Sequence, residues 1–179
     1  MLGSIVALAG FLLSGPLAFL FVQLIKPQPA WTSASVFAAN YSAVQNLPYF
    51  FGFALVGGLL VLAVAHYLDA ENNLTRPQLL LSLSCTLIFS VLIGFNYICQ
   101  TIFVHHLALH YKPEYDAAIA TFSMANPMSL CWAIEMWGYA VLGVATWLMA
   151  AYYREKNNSI RMLLIANGIA SLTSVVFMM

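Results

Sequence analysis

The fold is decided by residues 79–104, which read LLLSLSCTLIFSVLIGFNYICQTIFV and contain no Asp, Glu, Lys or Arg. A bilayer core about 30 Å thick needs about 20 apolar residues in a helix, so this run is long enough to span a membrane. Four more runs of similar length contain one charged residue between them, Glu135. The five predicted spans cover residues 1–25, 48–68, 79–104, 128–153 and 162–179.

The composition supports the same class of protein. Of 179 residues, 63% are hydrophobic and 7% are charged, whereas a soluble domain carries about a quarter charged residues. Six basic residues balance six acidic ones, so no basic surface for nucleic acid is expected. The chain is therefore predicted to be a single all-α domain in the lipid bilayer, an integral membrane bundle with five transmembrane helices or a shortened form of a six-span plan.

A break is predicted in the middle of the first span, where Gly15 precedes Pro16. Proline removes one helical hydrogen bond and usually kinks a membrane helix. The first run lacks the positively charged start of a signal peptide and is about twice as long as a signal-peptide core. It is therefore expected to remain in place as a span.

The orientation is predicted from Lys and Arg, which resist translocation when they lie in short loops. Four of them lie in loops 69–78 and 154–161, and two lie in loops 26–47 and 105–127. This bias predicts a cytoplasmic N-terminus, with the two longer loops outside. Both longer loops are rich in aromatic residues, which predicts short helices in the membrane interface.

Glu135 is the most informative residue, because a carboxylate at membrane depth costs a few kcal/mol. It lies eight residues beyond Pro127, which precedes its span. At 1.5 Å per residue, this puts it about 12 Å below the outer surface. In the third span Asn96 lies nine residues before His105, which puts it about 13 Å below the same surface. Gln100 follows one helical turn above Asn96. These side chains are predicted to form one polar cluster. The predicted ligand-binding residues are Glu135, Gln100, Asn96, Tyr139 and Trp132.

Two interpretations of this cluster remain open. In the first, it titrates protons or binds a small polar or cationic ligand that arrives from outside. In the second, a protonated acid donates a hydrogen bond to an amide and ties the helices together. The protein would then be a structural or accessory subunit, docked to a partner protein or a second copy through faces of small residues. Those faces are predicted at Gly10 and Ser14, at Ala54 and Gly58, and at Ala166, Ala170 and Ser174.

Other kinds of site have weaker support. His106 and His110 have the i, i+4 spacing of zinc ligands, but Pro113 is expected to end the helix before Glu114. Two histidines fall short of a closed zinc site, so no metal or cofactor is predicted. The sequence has no G-x-S-x-G, no H-E-x-x-H and no second carboxylate inside a span, so no enzymatic activity is expected.

Residues 96–100 read NYICQ, and residues 126–139 read NPMSLCWAIEMWGY. In these segments the chain resembles a group of uncharacterised bacterial multi-pass inner-membrane proteins. That group has an aromatic-x-x-Gln signature late in one span, and Asn-Pro, Trp-Ala-x-Glu and Gly-Tyr in the next. The resemblance covers about the second half of the chain. It implies an inner-membrane bundle of five or six spans, with Gln100 and Glu135 in the signature, and it implies no particular activity.

Overall fold

The computed structural model describes residues 2–70 and 75–176, and this part of the chain is helical with no strand. The α-helices are α1 (Leu2–Ser14), α2 (Pro16–Ile25), α3 (Ala34–Ala39), α4 (Leu47–Leu68), α5 (Arg76–Ile98), α6 (His105–Leu109), α7 (Asp116–Phe122), α8 (Leu130–Met149) and α9 (Asn158–Val176). A π-helical segment, Cys99–Val104, joins α5 to α6, and 3-10 helices cover Ala43–Asn46 and Pro113–Tyr115. The all-α prediction is confirmed.

Within the described ranges, three stretches of helix are long and apolar enough to cross a membrane: Gly3–Ile25, Ala43–Leu68 and Arg76–Leu109. They correspond to the first three predicted spans. Large apolar side chains such as Leu24 and Val91 are exposed on their surfaces. Apolar surface of this extent is unsuited to water, and it is compatible with insertion into a membrane.

The fourth and fifth predicted spans differ from the helices at their ends. Helix α8 stops at Met149, four residues before the predicted end, because the chain turns over residues 150–156. In this turn Tyr152 and Tyr153 direct their hydroxyl groups to polar partners at the end of α4. Helix α9 begins at Asn158, four residues before the predicted start. The end of the fifth predicted span, 177–179, lies outside the described residues.

Consecutive long helices pack side by side, with α1 on α4, α4 on α5, α5 on α8, and α8 on α9. Gly10 lies against the backbone of Leu55, and Gly58 lies against Ala7, so α1 and α4 approach closely. These predicted small-residue faces are therefore used inside the chain. On α9, Ala166 and Ala170 are exposed, and the side chain of Ser174 lies outside the described residues.

The first span is broken as predicted. Helix α1 ends at Ser14, and Pro16 is the first residue of α2. The helical hydrogen bonds on either side persist, since Gly15 N donates to Phe11 O (3.0 Å) and Phe19 N donates to Gly15 O (2.9 Å). Gly15 departs from helical geometry at the break (φ −98°, ψ −104°), and a space lies between α2 and the segments that lead to α4 and α8.

Helices α3, α6 and α7 form a small cap at one end of the bundle. Phe37, Val104 and Ile119 are buried together at its centre. The helix Arg76–Leu109 has 34 residues, so it is about 51 Å long and extends beyond a 30 Å hydrocarbon core into the cap. The two aromatic loops do form short helices. They pack on α6 around a shared core instead of lying singly on a surface.

Candidate functional site

The structure brings Glu135 and Asn96 together between α8 and α5. Asn96 Nδ2 donates to Glu135 Oε2 at 2.6 Å and lies 3.1 Å from the carbonyl oxygen of Cys131. The same nitrogen is 3.2 Å from Met124 Sδ. Asn96 is fully buried, and Glu135 is 7% exposed. The two residues meet because they lie at similar depth on helices that run in opposite directions.

Gln100 joins this cluster from one turn further along, at the start of the π-helical segment. Its Nε2 donates to the carbonyl oxygen of Phe122 (2.8 Å) and its Oε1 accepts from Met124 N (2.9 Å). A longer contact of 3.5 Å reaches Asn96 Oδ1. Gln100 does not contact Glu135 directly. It holds the segment that leads into α8 against α5.

Tyr97 is the second donor to the carboxylate. Its hydroxyl lies 3.4 Å from Glu135 Oε1, and its ring packs edge-on against Phe53 and at a tilt against Tyr49. The ring has room because Gly52 on α4 lacks a side chain, and a Cβ there would collide with the tyrosine ring. The glycine therefore positions Tyr97 beside Glu135.

A cavity of about 330 Å³ opens next to the carboxylate, and we call it the Glu135 cavity. Four of its lining residues are aromatic and come from four different helices. Of the other predicted ligand-binding residues, Tyr139 lines this cavity, whereas Trp132 is half-buried and does not line it. The lining residues are Phe11, Ser14, Gly15, Pro48, Tyr49, Leu55, Tyr97, Glu135 and Tyr139.

A second cavity of about 430 Å³ lies between α2 and the cap, and we call it the amide cavity. It shares Ser14, Gly15, Pro48 and Tyr49 with the Glu135 cavity, so the two adjoin. Its amide side chains are Gln23, Gln28, Gln45, Asn46 and Gln100, and it is lined by no Asp, Glu, Lys or Arg of the described residues.

The amide cavity reaches the surface of the chain and also contains an unpaired hydrogen-bond donor. Phe19 and Gln23 line it and are exposed, so it reaches the surface of the chain. Gln28 Nε2 is buried and has no hydrogen-bond partner among the described residues. An unpaired buried donor is costly, and this one borders a space large enough for a small molecule.

Glu135 lacks the basic partner that usually accompanies a buried acid, as far as the described residues go. The described part of the chain contains one ion pair, Lys156 with Asp69, and Glu135 has no basic partner there. Its oxygens accept only from a neutral amide and a neutral hydroxyl. The arrangement can therefore donate or accept a proton, or balance a positive charge that enters the cavity.

His106 and His110, the weakly supported candidates for metal ligands, lie in the cap. His106 and His110 are exposed, with ring centroids 4.7 Å apart, and helix α6 ends at Leu109, before Glu114. The described residues contain no group of three His, Cys, Asp or Glu side chains that could hold a metal ion.

The neighbouring His105 makes structural contacts instead. Asn46 Nδ2 lies 3.2 Å from His105 Nδ1, and the hydroxyl of Tyr41 lies 2.9 Å from the same nitrogen. Burial raises the pKa of Tyr41 to about 12, so this hydroxyl stays protonated at neutral pH. The three side chains join the cap to the start of α4.

The opposite end of the bundle has its own polar cluster. His66 lies 2.7 Å from the carbonyl oxygen of Leu62 through Nδ1 and 2.6 Å from the hydroxyl of Tyr153 through Nε2. Since a carbonyl only accepts, Nδ1 carries a proton. His66 also lines a cavity of about 210 Å³. It lies in the last turn of α4.

Sequence reasoning missed three of the four aromatic residues that line the Glu135 cavity. Tyr97 is adjacent to Asn96, and its hydroxyl at membrane depth was an available signal. Phe11 and Tyr49 gave no signal, because Phe11 is apolar and Tyr49 lies at the edge of its predicted span, where tyrosine is common.

The comparisons with known proteins add no family to this description. No protein-family model matches the chain, and neither does any curated protein or solved structure.

Proposed function

We propose that this protein is a five-span protein of the inner membrane that binds or moves a small ligand at the Glu135 cavity. The ligand reaches this cavity through the amide cavity, from the cap side. Helices α8 and α9 have 20 and 19 residues, close to the length that a bilayer core requires, and they supply the fourth and fifth spans. The Lys and Arg bias of the loops supports a cytoplasmic N-terminus and a cap on the outside.

The observation that carries this proposal is the position of the only carboxylate on α8. Glu135 lines a cavity that adjoins a second, surface-reaching cavity through Ser14, Gly15 and Tyr49. An acid that served only to tie helices would need no such space. Cavities of this size are within the range of small-molecule sites.

The alternative is a structural or accessory subunit, and one set of contacts favours it. Asn96 and Gln100 are used in hydrogen bonds between α5, the segment before α8, and α8 itself. A docking face for a partner or a second copy remains on α9, where Ala166 and Ala170 are exposed. In this case neither cavity would admit water from the cap side.

Water access to Ser14 distinguishes the two functions, because Ser14 lines both cavities. We would replace Ser14 by Cys in a background with Cys85→Ala, since the other native cysteines are buried. The matched control is Ser84→Cys, which is exposed on α5 and lines neither cavity. A membrane-impermeant maleimide is then applied to spheroplasts and to inverted vesicles.

The binding function predicts rapid labelling of Ser14→Cys from outside, at least tenfold faster than that of Ser84→Cys. Labelling from inside only would reverse the orientation. Equal protection of both cysteines from both sides would reject the cavity as a route and favour the structural role.

A further inference from the structure

The carboxylate and the aromatic lining of the Glu135 cavity limit the kinds of ligand that it can bind. This inference rests on the proposed function. Glu135 is the only charged residue that lines it, and no basic side chain in the described ranges pairs with this acid. A buried carboxylate is stable in its charged form only with a compensating charge. A ligand that supplies a positive charge would therefore bind more favourably here than a neutral molecule of the same shape.

The aromatic lining points in the same direction. Phe11 on α1, Tyr49 on α4, Tyr97 on α5 and Tyr139 on α8 surround the space next to Glu135. Aromatic ring faces attract cations, and the attraction grows when the cation is removed from water. Rings from four helices around one carboxylate form a site typical of ammonium recognition.

An inorganic cation fits this lining less well. Calcium takes six to eight oxygen ligands, and magnesium keeps an octahedral shell of oxygens. The Glu135 cavity offers one carboxylate, and its other oxygens belong chiefly to tyrosine and serine hydroxyl groups. No group of three metal-ligating side chains occurs in the described residues. The space is also far larger than a single ion requires.

The adjoining amide cavity fits the remainder of such a ligand. It has amide and hydroxyl groups but no charged side chain in the described part of the chain, so it suits a neutral, hydrogen-bonding group. The unpaired Gln28 Nε2 can donate to a carbonyl or hydroxyl oxygen there. Its apolar lining residues, among them Val22 and Phe37, would contact hydrocarbon.

We propose that the ligand is an organic ammonium cation, with its charged nitrogen against Glu135 and the four rings, and its neutral part in the amide cavity. Glu135 balances the charge, and Tyr97 and Asn96 orient the carboxylate through their hydrogen bonds. The rings of Tyr49 and Tyr139 exclude water from the ammonium group.

The test measures binding of benzyltrimethylammonium to the full chain in lipid nanodiscs by calorimetry. The matched ligand is neopentylbenzene, in which carbon replaces the charged nitrogen and the shape is kept. We expect the cation to bind at least tenfold more tightly than its neutral counterpart. Glu135→Gln should weaken cation binding at least tenfold, and Tyr97→Leu about fivefold.

Control variants remove the same groups elsewhere. Glu114→Gln changes an exposed acid in the cap, and Tyr67→Leu removes a ring at the opposite end of α4. Both should leave the affinity unchanged within twofold. If Glu135→Gln does not fold, the comparison of the two ligands on the unmodified chain still decides the matter.

Each outcome bears on a different statement. Equal binding of the cation and its neutral counterpart would overturn the ammonium assignment and leave a neutral-ligand pocket. Binding of neither, together with labelled Ser14→Cys, would overturn the ammonium assignment alone and leave a water-filled cavity in which Glu135 carries protons. Binding of neither, together with protected Ser14→Cys, would overturn the proposed function as well.

Discussion

Two carboxylates at opposite ends of this bundle each accept a hydrogen bond from a tyrosine, yet their surroundings differ. Asp69 accepts from the hydroxyl of Tyr152, is exposed, and pairs with Lys156 Nζ at 3.5 Å. The hydrogen bond from Tyr152 and the charge of Lys156 lower the pKa of Asp69 below its ordinary value. A separate hydrogen bond, which Lys156 Nζ donates to the hydroxyl of Tyr152, raises the pKa of Lys156.

Glu135 accepts from Tyr97 and Asn96, is almost fully buried, and has no basic partner within the described residues. The chain and the solvent together balance the charge of Asp69, whereas only neutral donors approach Glu135. Exposed ion pairs contribute little to stability, but a buried polar group is sensitive to every partner it loses. Changes around Glu135 should therefore have much larger effects than changes around Asp69.

The largest effect on stability is expected for Asn96→Leu. This variant removes the 2.6 Å hydrogen bond to Glu135 and leaves the buried carboxyl group with one distant donor. We expect the free energy of unfolding to fall by about 2–3 kcal/mol, measured by denaturant titration in detergent. Asn167→Leu on α9 is the control, because its amide is exposed and makes one 3.3 Å contact. Losses of equal size in both variants would contradict the special role of Asn96.

A smaller loss is expected for Gly52→Ala, because the new methyl group would meet the ring of Tyr97. Overpacking of this kind costs about 1–3 kcal/mol, and displacement of Tyr97 should also weaken ammonium binding. Gly57→Ala on the same helix has open space around its Cβ and should gain up to about 1 kcal/mol from helix propensity. Thermal unfolding of both variants tests the packing, and identical melting temperatures would disprove it.

Tyr97→Phe removes the hydroxyl and keeps the ring, so it separates the two contributions of this residue. The hydrogen bond is long, at 3.4 Å, and its loss should cost about 0.5–1 kcal/mol. Ammonium binding should weaken less than threefold, because the ring face remains. A loss as large as that in Tyr97→Leu would show that the hydroxyl, and not the ring, contacts the ligand.

The smallest effect is expected at Asp69. Because the pKa of Asp69 is lower in the folded chain, its contribution to stability is present above its ordinary pKa of 3.8. The contribution is lost as pH falls through the lowered value. The difference in melting temperature between the unmodified chain and Asp69→Asn should therefore shrink between about pH 5 and pH 2. A difference that widens on acidification would refute the ion pair as its source.

The contact between Asn96 and Glu135 could be predicted from sequence, because desolvation makes polar residues rare at membrane depth and their distance from the span ends can be counted. The same arithmetic placed Gln100 in the cluster, although the structure directs its amide to the chain before α8. The break at Gly15 followed from the missing N–H of Pro16.

The remaining features depend on contacts between distant segments. Nothing local in the sequence marks Phe11 and Tyr49 as neighbours of Glu135, since they arrive through the packing of α1 and α4. The cap likewise depends on Phe37 meeting Ile119 across a long stretch of chain. Trp132 was placed in the site by its closeness in sequence to Glu135, but it does not line the Glu135 cavity.

The π-helical segment Cys99–Val104 joins α5 to α6 and sets how far α6 is rotated about the helix axis relative to α5. A π turn closes its hydrogen bonds over i→i+5 and so holds one residue more than an α turn. Asn96 before it faces α8, and His105 after it faces Tyr41 and Asn46. Regular α geometry over the same number of residues would rotate His105 by about 100° relative to Asn96. The extra residue therefore lets one continuous helix direct Asn96 to Glu135 inside the bundle and His105 to Tyr41 in the cap.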